Sequence, residues 1–224
     1  GVTRYCPNAS GKAVVGTLTE INIERVLTLK PDLVVAGKDC NQRKDVEKLQ
    51  SLGIAVAVFD GCEDFECMCR EFIRLGQILG RQQAAQDIVA QVRADLRALE
   101  AGLPRRGPKV FWQVGVNPIV TVNGQTFAGE ILSRTGCANI FAEVAAKYPR
   151  VNREEVMVRD PEAIIIAAGM GGSDDPWKGM SRITAVRTNR VYRIPADTLC
   201  QPTPRKFYEA CRIVAGVLYP EPRL

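Results

Sequence analysis

The 224-residue chain is predicted to be an α/β protein of two lobes with mainly parallel sheets, joined by a single long α-helix. Three observations carry that prediction. Short β-branched runs alternate with helix-period segments, one unusually long helical stretch lies in the middle, and a motif recurs 130 residues after its first appearance. The run 32–36 (DLVVA) is apolar and closed by Gly37, and 54–59 is a second such run closed by Asp60-Gly61. Residues 44–52 between them read as helix, so the three form a βαβ unit and favour parallel pairing. From 64 to 103 the period lengthens: Ala85, Ile88, Val89, Val92, Leu96 and Leu99 follow helical spacing, with Gly102 and Pro104 as stop signals. Gly76 and Gly80 divide this stretch into two helices, the second long. After Pro108 the alternation resumes with strands at 110–114 and 120–122, a helix at 127–135, a helix from Arg153, strands at 163–168 and 190–194, and a closing helix at 204–218. The expected divisions are 1–80 for the first Rossmann-like lobe, 81–103 for the linking helix and 104–224 for the second lobe.

Composition narrows the function. The chain is 46% hydrophobic and 25% charged, and its apolar runs fall far short of the roughly 18 residues a membrane span needs. Histidine is absent, which removes Ser-His-Asp and Cys-His nucleophiles and histidine-bearing zinc sites. Residues 1–102 carry 13 Lys+Arg against 14 Asp+Glu, and residues 103–224 carry 17 against 11. The basic half shows no stripe with interleaved aromatics, so no nucleic-acid partner is expected; it reads as a solvated surface or as a wall that favours an anionic ligand. The eight cysteines are too dilute for a disulfide scaffold. Cys62, Cys67 and Cys69 match no zinc spacing, leaving disulfide or free thiols, and no resident metal or cofactor is expected. Residues 1–10 lack the apolar run of a secretory leader, as in a mature or trimmed form.

The repeat is the most informative feature. Asn22, Glu24, Val26 and Pro31 recur as Asn152, Glu154, Val156 and Pro161, each pair 130 residues apart and each set followed by an apolar strand. In both copies the Asn caps a helix, the Glu occupies its first turn, and Pro fixes its end. Singly, each glutamate reads as a favourable interaction with the helix dipole. Matched in two lobes, Glu24 and Glu154 also read as a two-point dock for a quasi-symmetric partner.

Ligands of open α/β sheets sit beyond the carboxyl ends of the strands. The loops there span 5–8, 37–41, 117–123, 169–174 and 197–201, with candidate contacts Tyr5, Cys6, Gly37, Lys38, Cys40, Val120, Asn123, Met170, Thr198 and Leu199. Tyr5 and Tyr148 are suited to stack on a flat macrocycle or, as the weaker reading, to ligate iron through phenolate. Arg150 and Arg205 suit a phosphate, propionate or carboxylate, or else a structural salt bridge. The Gly169-Met170-Gly171-Gly172 turn lacks the Lys-Ser/Thr of a phosphate loop and reads as a cleft-edge loop. Cys6 and Cys40 either pair to brace the rim or offer a thiolate to a bound chelate.

NIERVLTLKPDLVVAG, YPRVNREEVMVRDPEAIIIAAG, WQVGVNPIVTVNGQTFAGEILSRTGCANIFA and NRVYRIPADTLCQPTPRKFYEACRIVAG together resemble the substrate-binding proteins of ABC importers for cobalamin, haem and iron-siderophores. The resemblance runs from about residue 1 to 217. It implies a ligand cleft between two lobes, a rigid linking helix, and capture of a metal chelate, corrinoid first and iron-siderophore or haem second. It implies that Glu24 and Glu154 meet arginines on an ABC permease dimer, that the protein is a monomer, and that it works as a periplasmic protein or cell-surface lipoprotein. Members of the family tie together the helices that carry Cys137 and Cys211, so a disulfide is expected there. Tyr5 and Tyr148 match aromatic cleft positions, whereas Leu18, Gly37, Val120 and Thr198 stand where the cobalamin binders carry bulkier groups, implying a roomier cleft. Family members open with a strand and helix ahead of the position of Gly1, so that βα unit is expected to be missing here. The rival class is a tetrapyrrole-handling enzyme such as a chelatase. Those generally rely on histidine, and only paired acids such as Asp174-Asp175 would remain for acid/base work.

Overall fold

The computed structural model describes residues 11–17, 20–169, 176–199 and 203–220. The chain divides into two compact units, Gly1–Cys62 and Glu63–Leu224.

In the first unit, helix α1 (Ile23–Leu29), strand β1 (Val34–Gly37), helix α2 (Arg43–Ser51) and strand β2 (Val56–Phe59) follow in order. β1 and β2 pair in parallel with Val34 opposite Val56 and Gly37 opposite Phe59, which is the βαβ unit read from the sequence. Val46 and Leu49, one helical turn apart on α2, are buried together with Ala36 and Ala57 of the sheet. Val35 points to the other face of β1 and is 56% exposed.

The second unit opens with helices α3 (Phe65–Ile78) and α4 (Gln82–Ala101). Ala85, Val89, Val92 and Leu96 form the buried stripe of α4, as their spacing predicts. Gly76 lets the two helices approach closely, because a Cβ there would stand 2.5 Å from the Ala85 Cβ. Strands β3 (Lys109–Val116) and β4 (Ile119–Thr121), helix α5 (Phe127–Arg134), strand β5 (Ala138–Asn139) and helix α6 (Arg153–Arg159) come next. Strand β6 (Ala163–Ala168), helix α7 (Thr184–Arg187), strand β7 (Val191–Pro195) and helices α8 (Ala196–Leu199) and α9 (Pro204–Leu218) complete the order. The sheet runs β4-β3-β6-β7 with β5 beside β3, and every pairing is parallel except the β3–β4 hairpin.

β6, with the sequence AIIIAA, is flanked by strands on both edges and covered on both faces, which explains its unbroken apolar run. Phe111 anchors one core layer, edge-on to Trp177 (centroids 5.3 Å apart) and to Phe141 (5.8 Å). On α9, Phe207, Ala210, Cys211, Val214 and Leu218 are buried at helical spacing.

The compact units divide at Cys62/Glu63, and both α3 and α4 fall within the second. Phe65 of α3 stacks at 5.1 Å on Phe207 of α9, and its backbone N–H donates to Glu130 of α5 at 2.7 Å. These long-range contacts assign α3 to the second unit. Among the described residues no helix is long and apolar enough to cross a membrane.

Candidate functional site

At the carboxyl end of β1 the chain turns sharply through residues 38–41. Asn41 accepts a hydrogen bond from the Gly37 N–H through its side-chain oxygen (2.9 Å), and its own N–H donates to the Gly37 carbonyl (2.9 Å). The Lys38 N–H donates to Phe59 O at 2.9 Å, which holds this turn beside the end of β2. Lys38 Nζ lies 3.2 Å from Asp60, an exposed pair that contributes at most about 1 kcal/mol. A Cβ on Gly61 would fall 1.3 Å from a carboxylate oxygen of the exposed Asp39, so the two turns come close together there. Gly37, Lys38 and Cys40 therefore share one polar rim. Cys40 is an exposed free thiol, and its candidate partner Cys6 falls outside the described residues. Tyr5, Cys6 and Leu18 lie outside the described residues.

In the second unit, residues 147–150 run antiparallel to β4. Val120 bridges Arg150, the Thr121 N–H donates to Pro149 O (3.0 Å), and the Asn123 N–H donates to Lys147 O (2.9 Å). Val120, Tyr148 and Arg150 are thus brought together, with Tyr148 62% exposed and Arg150 exposed. Asn123 serves another purpose than the expected ligand contact. It is 1% exposed, its amide N–H donates to Val144 O (2.9 Å) and its oxygen accepts from the Gln125 N–H (2.8 Å), so it braces the loop.

Beyond β6 the chain turns at Gly169 (φ 97°). Beyond β7 it enters α8, where Thr198 is half-buried and Leu199 buried. Arg205 is exposed in the first turn of α9, a helix started by Pro204 and capped by Thr203. Met170, Cys200, Gln201 and the acids Asp174 and Asp175 lie outside the described residues.

Sequence reasoning missed a buried polar pair. The Trp177 indole N–H donates to Gln113 Oε1 at 2.7 Å, tying β3 to the segment after the β6 turn, while Gln113 Nε2 has no partner among the described residues. The available signal was the lone amide within the otherwise apolar strand KVFWQVGV.

The two glutamates stand in closely matched local settings. α1 and α6 each have seven residues, with Asn22 accepting from the Arg25 N–H (2.9 Å) and Asn152 from the Glu155 N–H (2.7 Å). Each helix buries its repeated valine, Val26 or Val156, and each ends in a left-handed residue, Lys30 (φ 47°) or Asp160 (φ 41°). Because the asparagines do the capping, Glu24 and Glu154 are left exposed, and neither joins an ion pair among the described residues. Glu155, by contrast, lies 4.0 Å from Arg159, which also pairs with Glu143 at 2.6 Å.

Cysteine chemistry departs from expectation. Cys62 and Cys67 are disulfide-bonded, whereas Cys69, Cys137 and Cys211 are buried free thiols. The expected Cys137–Cys211 disulfide is not made. The Cys137 thiol is engaged with Thr135 O (3.5 Å) and the Tyr219 hydroxyl (3.4 Å), and Cys211 faces the interior from α9. Burial pushes Cys69 up to about 11 and Cys211 up to about 12, so both remain protonated at neutral pH. Among the described residues no three acidic or cysteine side chains gather to hold a metal.

A cavity of about 500 Å³ lies beside Glu100, Leu103, Glu130, Arg134 and Gly136. Arg134 spans it, bonding Glu130 and Glu100 at 2.8 Å each. None of the predicted ligand contacts lines it. Leu103 and Gly136 precede β3 and β5, so it lies at the opposite end of those strands from the loops described above.

A family model described as periplasmic binding protein matches residues 1–198. The chain is 30% identical over 203 residues to a vitamin B12-binding protein of Vibrio parahaemolyticus, covering 90% of this chain and 74% of that one. Among solved structures it resembles the periplasmic vitamin B12 binding protein of Vibrio cholerae, with a TM-score of 0.76 and 29% identity over 96% of this chain and 85% of that one. The periplasmic heme binding protein of Vibrio cholerae shares the fold at a TM-score of 0.84 and 19% identity, covering 96% of this chain and 87% of that one. The mixed α/β architecture with parallel-dominated sheets is the one these two-lobed proteins share, and the relatives are named as binding proteins, which leaves the chelatase reading without support. The chain belongs to the periplasmic binding protein family, whose model covers residues 1–198, and the relatives it matches are named as binding proteins.

Proposed function

We propose that the chain works outside the cytoplasm as a monomeric receptor for a metal chelate, a corrinoid first and an iron-siderophore or haem second, and hands it to an ABC permease dimer. The observation that carries the corrinoid preference is the 30% identity to a vitamin B12-binding protein over 90% of the chain. The polar rim of Lys38 and Cys40 and the exposed Tyr148 beside Arg150 supply what such a ligand needs: an aromatic face for a macrocycle and cations for phosphate or carboxylate arms. Gly37, Val120, Thr198, Leu199 and Arg205 complete the proposed contacts in the described chain, with Tyr5, Cys6 and Met170 outside it. Asn123 is left out of this set because its amide is held by the loop. Glu24 and Glu154 are the proposed docking residues, each facing an arginine of the permease.

The deciding experiment is titration calorimetry with cobalamin, cobinamide, haem and a panel of ferric siderophores. The expected result is stoichiometric binding, tightest for a corrinoid, weakened by about 1 to 3 kcal/mol in Tyr148→Ala if the ring stacks on the ligand. Binding of haem or a siderophore without any corrinoid affinity would reverse the order. Turnover of any of these compounds would overturn the receptor reading.

A further inference from the structure

Val158 is 84% exposed, more than any other large hydrophobic side chain among the described residues. It lies four residues after Glu154 on α6, one turn along the same face. The corresponding residue of α1 is Thr28, whose hydroxyl donates to Glu24 O at 2.9 Å; at this position the two copies part company. A β-branched residue gains nothing from such a site, since valine is a poorer helix former than the straight-chain residues and its side chain has little here to pack against. The surrounding charge is arranged selectively. Arg159 pairs with Glu143 at 2.6 Å and approaches Glu155 at 4.0 Å, whereas Glu154, beside the bare valine, joins no ion pair among the described residues.

An unpaired carboxylate one helical turn from an exposed aliphatic group matches an arginine well, because its guanidinium bonds the acid while its methylene stem lies over apolar surface. We propose that Val158 and Glu154 together receive one arginine of the permease, the guanidinium on Glu154 and the stem across Val158. This proposal rests on the docking role of Glu154. It makes the second unit's dock mixed ionic and apolar, while the equivalent position on α1 offers only a hydroxyl already bonded to its own helix.

The test measures affinity of the intact protein for the permease–ATPase complex in nanodiscs at several salt concentrations, comparing wild type with Val158→Ser and Glu154→Gln. Val158→Ser should bind roughly five- to tenfold more weakly with an unchanged salt dependence. Glu154→Gln should bind more weakly with a flatter salt dependence. If Glu154→Gln weakens docking and Val158→Ser does not, the Val158 contact is overturned while the docking reading stands. If neither changes affinity, both fall. The proposal is also overturned if Val158→Ser reduces ligand affinity, abolishes self-association seen by sedimentation, or acts on binding to empty nanodiscs. Those results would assign Val158 to the ligand site, to a second copy of this chain, or to the lipid surface.

Discussion

Replacing Glu24 and Glu154 together by glutamine should separate docking from ligand capture. Neither carboxylate has an ion partner among the described residues, and both helices keep their asparagine caps at 2.9 and 2.7 Å, so the native state loses only the interaction of each acid with its helix dipole. That loss is about 0.3 to 1 kcal/mol per helix. At about 2 to 4 °C of Tm per kcal/mol for a chain of this size, the double variant should melt within about 8 °C of wild type. A charge-assisted hydrogen bond across an interface contributes about 1.5 to 3 kcal/mol, which is a loss of about 10- to 150-fold per helix. The two helices belong to separate compact units and share no partner, so the effects should add to a loss of roughly 10² to 10⁴ in permease affinity. Ligand affinity by calorimetry should stay within about twofold. Uptake by proteoliposomes holding the permease–ATPase complex should fall with docking, and charge reversal to arginine should abolish it. A large loss of ligand affinity, or docking as tight as wild type, would refute the reasoning.

Four further outcomes are expected. Native alkylation at pH 8 should mark the exposed Cys40 quickly and leave the buried Cys211 untouched, because an ionisation midpoint of about 12 leaves only ~10⁻⁴ of Cys211 as thiolate. Denatured, unreduced protein should yield at least the four thiols Cys40, Cys69, Cys137 and Cys211, and a Cys137–Cys211 crosslinked peptide in the digest would contradict the structure. Because burial raises Cys69 and Cys211, their contribution to stability is complete below the unfolded midpoint near pH 9 and is lost as pH rises towards 11 and 12. Denaturant unfolding should therefore show alkaline destabilisation of up to about 1.4 kcal/mol per pH unit per thiol, and a Cys211→Ala variant with an unaltered slope would exclude that cause. Gly129→Ala should destabilise the second unit by about 2 kcal/mol or more, since its Cβ would stand 2.2 Å from Asn123 O and 2.9 Å from Gly124, backbone atoms that cannot swing aside. A Tm within about 2 °C of wild type would show that the loop at 123–124 yields.

What the sequence revealed, and what it concealed, follows the range of the forces involved. β6 and α9 occupy the predicted residues because their signals are local: an apolar run in one, and a proline start with a 3.6-residue stripe in the other. β5, α7 and α8 escaped because they have two, four and four residues, too few for a period to register. β5 exists because it lines up with the start of β3, and α7 is held by the Asp160 carboxylate, which accepts from the Thr184 N–H at 2.7 Å and from its hydroxyl at 2.9 Å. The packing of α3 was hidden for the same reason. Gly76 and Gly80 mark a turn, and only the distant stacking of Phe65 on Phe207 shows to which unit α3 belongs. Cysteine pairing depends on the distance between residues far apart in sequence, which spacing does not encode. The repeat was legible where backbone chemistry is demanding, at the asparagine caps and the prolines. It was silent at Lys30 and Asp160, which share a left-handed backbone without sharing a side chain. That silence marks a divergence: Asp160 uses its carboxylate to cap α7, so one copy of the motif has acquired a structural duty inside its own sheet layer. Glu24 and Glu154 join no ion pair among the described residues beyond the interaction of each with its own helix dipole, which leaves both charges open to the docking role proposed for them.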